Sequence, residues 1–254
     1  MPFTFSHPAA IIPAKLLPKK WISMTALIIG SITPDFEYFI RMKNYGIYGH
    51  TYGGIFWFDM PLGFALTFVY HNLVRDSLID NLPRILRSRL IRFKGFDWNN
   101  YVKQNIWVVI VCLFAGVLSH VVWDGFTHRT GYFVKHIPWL QRNTEINDLQ
   151  HVRFYILQVI SSAVGMLAVL IAILSMPRER NIERRRIFKY WAIVIPMAIA
   201  IVALRMMWYT YNPLDEVWVI HGIIIPDDII MTAISACLIS LMITPFILKR
   251  TAQV

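Results

Sequence analysis

Apolar residues in this chain run in long uninterrupted blocks instead of alternating with polar ones. A helix rises 1.5 Å per residue, so about 20 apolar residues are needed to cross the hydrocarbon core of a bilayer. Five blocks reach or approach that length: residues 53–74, 105–127, 154–176, 187–209 and 223–248. A sixth, ISMTALIIGSITPDFEYFI at residues 22–40, is apolar at first and is then broken by Pro34 and Asp35. Before it lies HPAAIIPAKLL, roughly half a membrane thickness, which reads as a re-entrant or interfacial helix. The pattern predicts an all-α integral membrane helical bundle of about six spans plus that short N-terminal helix. With no repeat, Gly/Ser linker or low-complexity tract to divide it, residues 1–254 are expected to form a single polytopic membrane domain.

Composition agrees: 56% of the residues are hydrophobic and 16% charged, against roughly 25% charged in an average soluble domain. The net charge of +10 does not point to nucleic acid, because the basic residues fall in blocks between apolar runs and not along one soluble face. They read as topology signals. Lys15, Lys19 and Lys20 precede the first span, Arg75 to Lys103 fill the loop after the second, RERNIERRRIFK follows the fourth, and Lys249 and Arg250 close the chain. If the spans alternate, all of these share one side, expected to be cytoplasmic. YNPLDEVWVIHG, residues 211–222, carries no Lys or Arg and falls on the other side, while the loop of residues 128–153 is mixed. The N-terminus lacks the order of a secretory signal, its positive charge following the apolar part, and is expected to be retained. Cys112 and Cys237 sit deep in apolar runs and form neither a disulfide framework nor a CxxC knuckle.

Candidate chemistry starts at LSHVVWDGFTH, residues 118–128. His120, Asp124 and His128 are spaced i, i+4, i+8, which puts them on one narrow stripe of a helix inside a hydrophobic segment, where polar groups are expensive. On an alternating topology Asp35, His50 in YGIYGHTYGG, and this stripe converge on the outer side. His7 joins them if HPAAIIPAKLL and the segment from Trp21 form a hairpin. Imidazole and carboxylate are ligand types for zinc or a related divalent ion, which acidifies bound water and makes a nucleophile available near neutral pH. A single His or Asp often serves as interhelical glue worth about 0.6 kcal/mol. Repetition at one level argues for more, yet spacing alone leaves metal or proton chemistry and a purely structural network both open.

The blocks MPFTFSHPAA, GSITPDFEYF, GHTYGG leading into FDMPLGF, and LSHVVWDGFTHRTGY followed by HIP resemble an uncharacterised family of bacterial multi-span membrane proteins, over roughly the first 160 residues. More distantly, an N-terminal His, a PD motif, a loop His and a later SHxxxD helix are similar to bacterial inner-membrane proteins labelled metal-dependent hydrolases, and through them to zinc-dependent phospholipase C. That resemblance implies metal ligands at His7, Asp35, His50, His120 and Asp124, with residues 1–160 as the metal-site core and 161–254 as additional membrane helices. It implies a divalent metal, zinc first, and a multi-pass protein of the bacterial inner membrane. The chain departs from the hydrolase pattern in two respects. PDFEYF offers Glu37 where the pattern has a second Asp, and His50 stands alone where a paired His is usual. These departures weigh against a two-metal site more than against a one-metal site.

His128 is a candidate ligand or general acid, with an interfacial, water-facing His as the plain alternative. Glu37 is a candidate base or orienting partner, although two residues after Asp35 a regular helix would point it elsewhere. Asp59 could orient a ligand His or cap its helix. Arg205 could clamp a phosphate, but snorkelling to the interface explains it more simply. Asp227 and Asp228 after Pro226 read as a helix start. His71, on the cytoplasmic side, and His136, His151 and His221, in outer loops, read as outside the site. Trp57, Trp107, Trp191, Trp208 and Tyr209 read as an aromatic belt. The expected function is a membrane-embedded metal-dependent hydrolase acting on an ester or phosphoester, lipid-linked or lipid itself, at the outer face. Membrane lipids are its expected partners. The alternatives are a non-catalytic membrane protein with a structural polar or metal cluster, and a transporter, which the lack of an inverted repeat disfavours.

Overall fold

The computed structural model describes residues 3–146, 149–183, 187–211, 217–220, 223–226 and 228–251. Helix dominates. Among the described residues the strands are two short antiparallel hairpins, Asn143–Ile146 with Leu149–Val152 and Val217–Ile220 with Ile223–Pro226. Five helical runs are long and apolar enough to cross a membrane: Tyr52–Asp80, Trp98–His136, Arg153–Leu174, Phe188–Tyr209 and Ile229–Lys249. The chain is therefore an all-α membrane protein. On Arg153–Leu174 the side chains of Val159, Ile160, Val164, Leu167 and Ile171 are exposed. Water would penalise that surface, and lipid tails match it.

The segment expected as the first of six spans is composite. Helix Met24–Ile32 gives way to a 3-10 turn, Thr33–Asp35, and then to a short helix, Phe36–Arg41. Pro34 cannot donate a backbone hydrogen bond, so the α ladder changes pitch where it enters. The expected N-terminal helix is a 3-10 helix, Thr4–Leu16, with Pro8 and Pro13 inside it. Two missing N–H groups in thirteen residues disfavour a regular α-helix.

Contacts divide the chain into two compact units that interleave along the sequence. The first comprises Met1–Asp35, Tyr48–Thr67 and Asn99–Met176. Within it Thr4–Leu16 lies along Arg153–Leu174. The Phe3 N–H donates to Ser162 Oγ at 2.9 Å, and Gly165 leaves room for the Ser6 backbone, since a Cβ there would stand 2.9 Å from the Ser6 carbonyl oxygen. Met24–Ile32 crosses Trp98–Thr127 at two glycines: a Cβ at Gly30 would fall on the Leu113 carbonyl, and one at Gly116 on the Leu27 carbonyl. Two helices can approach this closely only where neither has a side chain between them. Cys112, buried, accepts the Ser23 N–H at 3.2 Å, so it is a packing residue.

The second unit comprises Phe36–Ile47, Phe68–Trp98 and Pro177–Val254. Phe188–Tyr211 packs on Ile229–Thr251, and Ser235 Oγ on the latter donates to the Phe39 carbonyl at 2.6 Å. His71 stacks on Trp98 with ring centres 4.5 Å apart, and its Nδ1 lies 2.6 Å from Arg75 Nη1. His71 is thus part of a buried structural clamp. Asp228 does more than start a helix: its carboxylate accepts the Asn44 N–H at 2.6 Å and the Tyr209 hydroxyl at 2.9 Å. Arg205 lies against the rings of Trp208 and Tyr209, at 4.6 and 4.7 Å from their centres. His221 and Asp227 lie outside the described residues.

Candidate metal centre

The site belongs wholly to the first unit and is assembled from separate pieces of chain. Asp35 ends the 3-10 turn that Pro34 introduces, His50 sits on the irregular segment before Thr51, and His120 and Asp124 occupy adjacent turns of Trp98–Thr127. One ligand atom from each of these four residues lies within 4.8 Å of the others. Asp35 and His120 are fully buried, and Asp124 is 5% exposed.

The spacing separates a cation site from a hydrogen-bonded polar seam. His50 Nε2 is 3.2 Å from Asp124 Oδ2 and 3.5 Å from Asp35 Oδ1. His120 Nε2 is 3.3 Å from Asp124 Oδ2, 3.5 Å from Asp35 Oδ1 and 3.3 Å from His50 Nε2. Charge-assisted N–H to oxygen bonds are about 2.7–2.9 Å long. Four atoms at about 2.0–2.2 Å from a central ion stand about 3.3–3.6 Å apart along the edges of a tetrahedron. These five separations lie nearer the second pattern. Asp35 Oδ1 and both Asp124 carboxylate oxygens are buried without a hydrogen-bond partner, a costly arrangement unless something else neutralises them. Two carboxylates and two neutral imidazoles carry the charge that a divalent cation cancels.

Neighbouring groups orient the ligands. His120 Nδ1 donates to the Ser31 carbonyl oxygen at 2.8 Å, which leaves the Nε2 lone pair facing the cluster. Thr4 Oγ1 donates to Asp35 Oδ2 at 2.6 Å, so Oδ1 is the oxygen presented to the site. Burial pulls the His50 imidazole down, but the close carboxylates of Asp124 and Asp35 outweigh it and hold it up at about 9. His7 goes the other way, held at about 3 by burial first and by the neighbouring His120 second. A site of this composition can hold a divalent ion in exchange for the proton that His50 otherwise retains.

The residues expected from sequence take different places in the structure. Asp35, His50, His120 and Asp124 form the cluster. His7 lies beside it: its ring stacks on His120 with centres 3.8 Å apart, and its Nε2 is 3.6 Å from Asp124 Oδ1. His128 stands at the edge, with Nδ1 3.2 Å from the Asp124 carbonyl and 3.5 Å from Asp124 Oδ2, and with a side chain 27% exposed. Glu37, in the second unit, accepts the Arg41 Nε–H at 2.9 Å and the Ile47 N–H at 2.8 Å and ties down the chain after Phe36–Arg41. Asp59 is fully buried near the start of Tyr52–Asp80. Two contributors were missed. Thr4 lies inside the quoted MPFTFSHPAA block and could have been found as a hydroxyl near a candidate ligand, whereas Ser31 acts through its main chain and leaves no signal in residue type.

No curated protein and no solved structure matches the chain. The family described as "Domain of unknown function (DUF4184)" matches residues 1–246, nearly the whole sequence, and the chain belongs to that family.

Proposed function

We propose that this protein is a membrane-embedded, metal-dependent hydrolase of esters or phosphoesters, with its site at the outer face of a bacterial inner membrane and lipids or lipid-linked molecules as substrates. The observation that carries the reading is the convergence of one ligand atom each from Asp35, His50, His120 and Asp124 within 4.8 Å of one another, with Asp35 Oδ1 and both Asp124 carboxylate oxygens buried without a hydrogen-bond partner. An imidazole and carboxylate set of this geometry suits zinc. When bound, a divalent cation supplies Lewis acidity, polarising a substrate oxygen and acidifying water. The chain's own residues supply the rest. His50 and His128, with side chains 26% and 27% exposed, line the accessible edge. His128 Nδ1 faces the Asp124 carbonyl, so Nε2 is the nitrogen that exchanges a proton with water or with the leaving oxygen as the ester bond breaks. Exposed Tyr52, Trp57, Trp123 and Tyr132, on the helical segments around the ligands, support a level near the lipid headgroups. The distribution of Lys and Arg supports the outer face.

A second reading, a structural cation that pins three segments together, draws on one observation: four protein groups converge, the number that closed structural zinc sites use. One experiment separates the two. The purified protein, His120→Ala and Asp124→Ala are assayed for bound metal and for hydrolysis of chromogenic esters and phosphoesters. A hydrolase loses metal and activity together in both variants. A structural site loses metal and thermal stability with no activity to lose, and absence of stoichiometric metal from the parent protein overturns both readings.

A further inference from the structure

We infer that the slot between the last two spans binds one acidic phospholipid, with an acyl chain lying in the slot and the headgroup phosphate at the lysines beside its mouth. Phe188–Tyr211 and Ile229–Thr251 pack on each other, yet they leave an apolar cavity of about 480 Å³ between them. One helix lines it from Trp191 through Ala198 to Ala203, and the other contributes Ala233, Cys237 and Leu241. Small side chains at Ala198, Ala203, Ala233 and Cys237 are what keep the helices from filling the gap. The slot is open to the surroundings, since Cys237 is exposed. From Trp191 to Ala203 the helix rises about 18 Å, a little over half the hydrocarbon thickness, so the slot lies within reach of a lipid in one leaflet. It belongs wholly to the second unit and does not depend on the metal reading.

One end of the slot differs in chemistry from the rest. Trp191 stands there, its indole Nε1–H donating to the Asn81 carbonyl at 2.8 Å, and Phe188, one turn earlier on the same helix, is 78% exposed. Aromatic rings so placed mark the level of the lipid headgroups. Lys189 lies at the start of one span and Lys249 at the end of the next, and both are exposed. Consecutive spans run in opposite directions, so the two lysines share one membrane level. Arg84, also exposed, begins the short helix Arg84–Leu90 three residues after Asn81. The stretch RERNIERRRIFK, which leads into Phe188–Tyr211, carries six basic residues against two acidic. Basic pockets between membrane helices recognise acidic headgroups in this way. A phosphate joined to an acyl chain matches both halves of the site, the charged mouth and the apolar slot. A helix from a second copy matches less well: it is about 10–12 Å across with its side chains, so 18 Å of it exceeds what the cavity holds, and it would leave the lysines unanswered.

The test uses the full-length protein in detergent, titrated with phosphatidylglycerol or with phosphatidylcholine of the same acyl chains, and native mass spectrometry counts the lipids retained. The expected result is one phosphatidylglycerol held in preference to phosphatidylcholine. Lys189→Gln and Lys249→Gln should each weaken phosphatidylglycerol by about 5-fold and leave phosphatidylcholine unchanged, whereas Ala198→Phe, which fills the slot, should weaken both. Cys237 gives a second readout that needs no change in the slot. Its labelling by N-ethylmaleimide, followed by intact mass with Cys237→Ser as the control, should slow when phosphatidylglycerol is bound and not when inorganic phosphate alone is added; the other cysteine, Cys112, is buried. Equal retention of the two lipids, unchanged in the lysine variants, overturns the headgroup assignment. Labelling of Cys237 that phosphatidylglycerol does not slow overturns the placement of the acyl chain, and protection that follows protein concentration instead of lipid overturns the inference in favour of a second copy of the chain.

Discussion

His120 Nδ1 donates to the main-chain carbonyl of Ser31 at 2.8 Å, immediately beside the point where Gly30 and Gly116 let their helices touch. The glycine crossing and the ligand geometry are one feature. The helices must be this close for a carbonyl of one to set the tautomer of a histidine on the other. Gly116→Ala should therefore weaken two properties at once, stability by about 1–3 kcal/mol through overpacking and zinc affinity through the lost orientation of His120. Thermal unfolding in detergent and chelator competition read the two effects. Parental values for both would show that the crossing has slack.

Thr4→Val removes the donor to Asp35 Oδ2 and leaves a buried carboxylate oxygen without it. The expected loss is about 1–3 kcal/mol of stability, larger without zinc than with it, while Thr4→Ser should stay close to the parent. Melting curves with and without the metal measure this. Equal stability of the valine and serine variants would show that the hydroxyl is dispensable.

Metal binding should release a proton at neutral pH. His50 is held at about 9, above its ordinary 6.5, by the neighbouring carboxylates against the pull of burial, and only the neutral imidazole is a ligand. Affinity for zinc should then rise with pH up to about 9 and level off above it. In the absence of metal the sign reverses for stability. The contribution of the protonated His50 is complete below 6.5 and is lost as pH rises through about 9. Calorimetry at pH 7 in buffers of different ionisation enthalpy counts the proton, and a binding enthalpy independent of buffer contradicts the prediction.

His128→Gln should leave bound metal unchanged and lower turnover by about 100- to 10,000-fold, as expected for loss of a proton-transfer group. The pair of measurements matters. Loss of metal in this variant would make His128 a ligand, and unchanged turnover would remove it from the mechanism.

Glu37→Gln should leave metal content and affinity untouched. Its cost should be confined to stability, about 1 kcal/mol from weakening the contact with Arg41. A fall in metal affinity would return Glu37 to the site.

The spans at Arg153–Leu174, Phe188–Tyr209 and Ile229–Lys249 were legible because length and apolarity suffice to define a membrane helix, whatever it packs against. His120 and Asp124 were legible for a similar reason, since i, i+4 spacing on a helix is a local property. The contacts of Glu37 with the Arg41 guanidinium and the Ile47 N–H were not legible, because residue type and nearness to Asp35 say nothing about which way a side chain turns. The 3-10 form of Thr4–Leu16 and the π turns at Ile55–Asp59 and Tyr70–Val74 leave no periodic mark to read.

By itself the sequence determined that this is a helical membrane protein and which residues carry ligand chemistry, because burial in lipid and the period of a helix act over a few turns of chain. Only the tertiary structure decided that Asp35, His50, His120 and Asp124 bring one ligand atom each within 4.8 Å of the others. That arrangement depends on contacts between residues far apart in sequence, on the Gly30–Gly116 crossing and on main-chain acceptors such as Ser31. A carbonyl oxygen is present in every residue, and which one meets a histidine is settled when the helices pack.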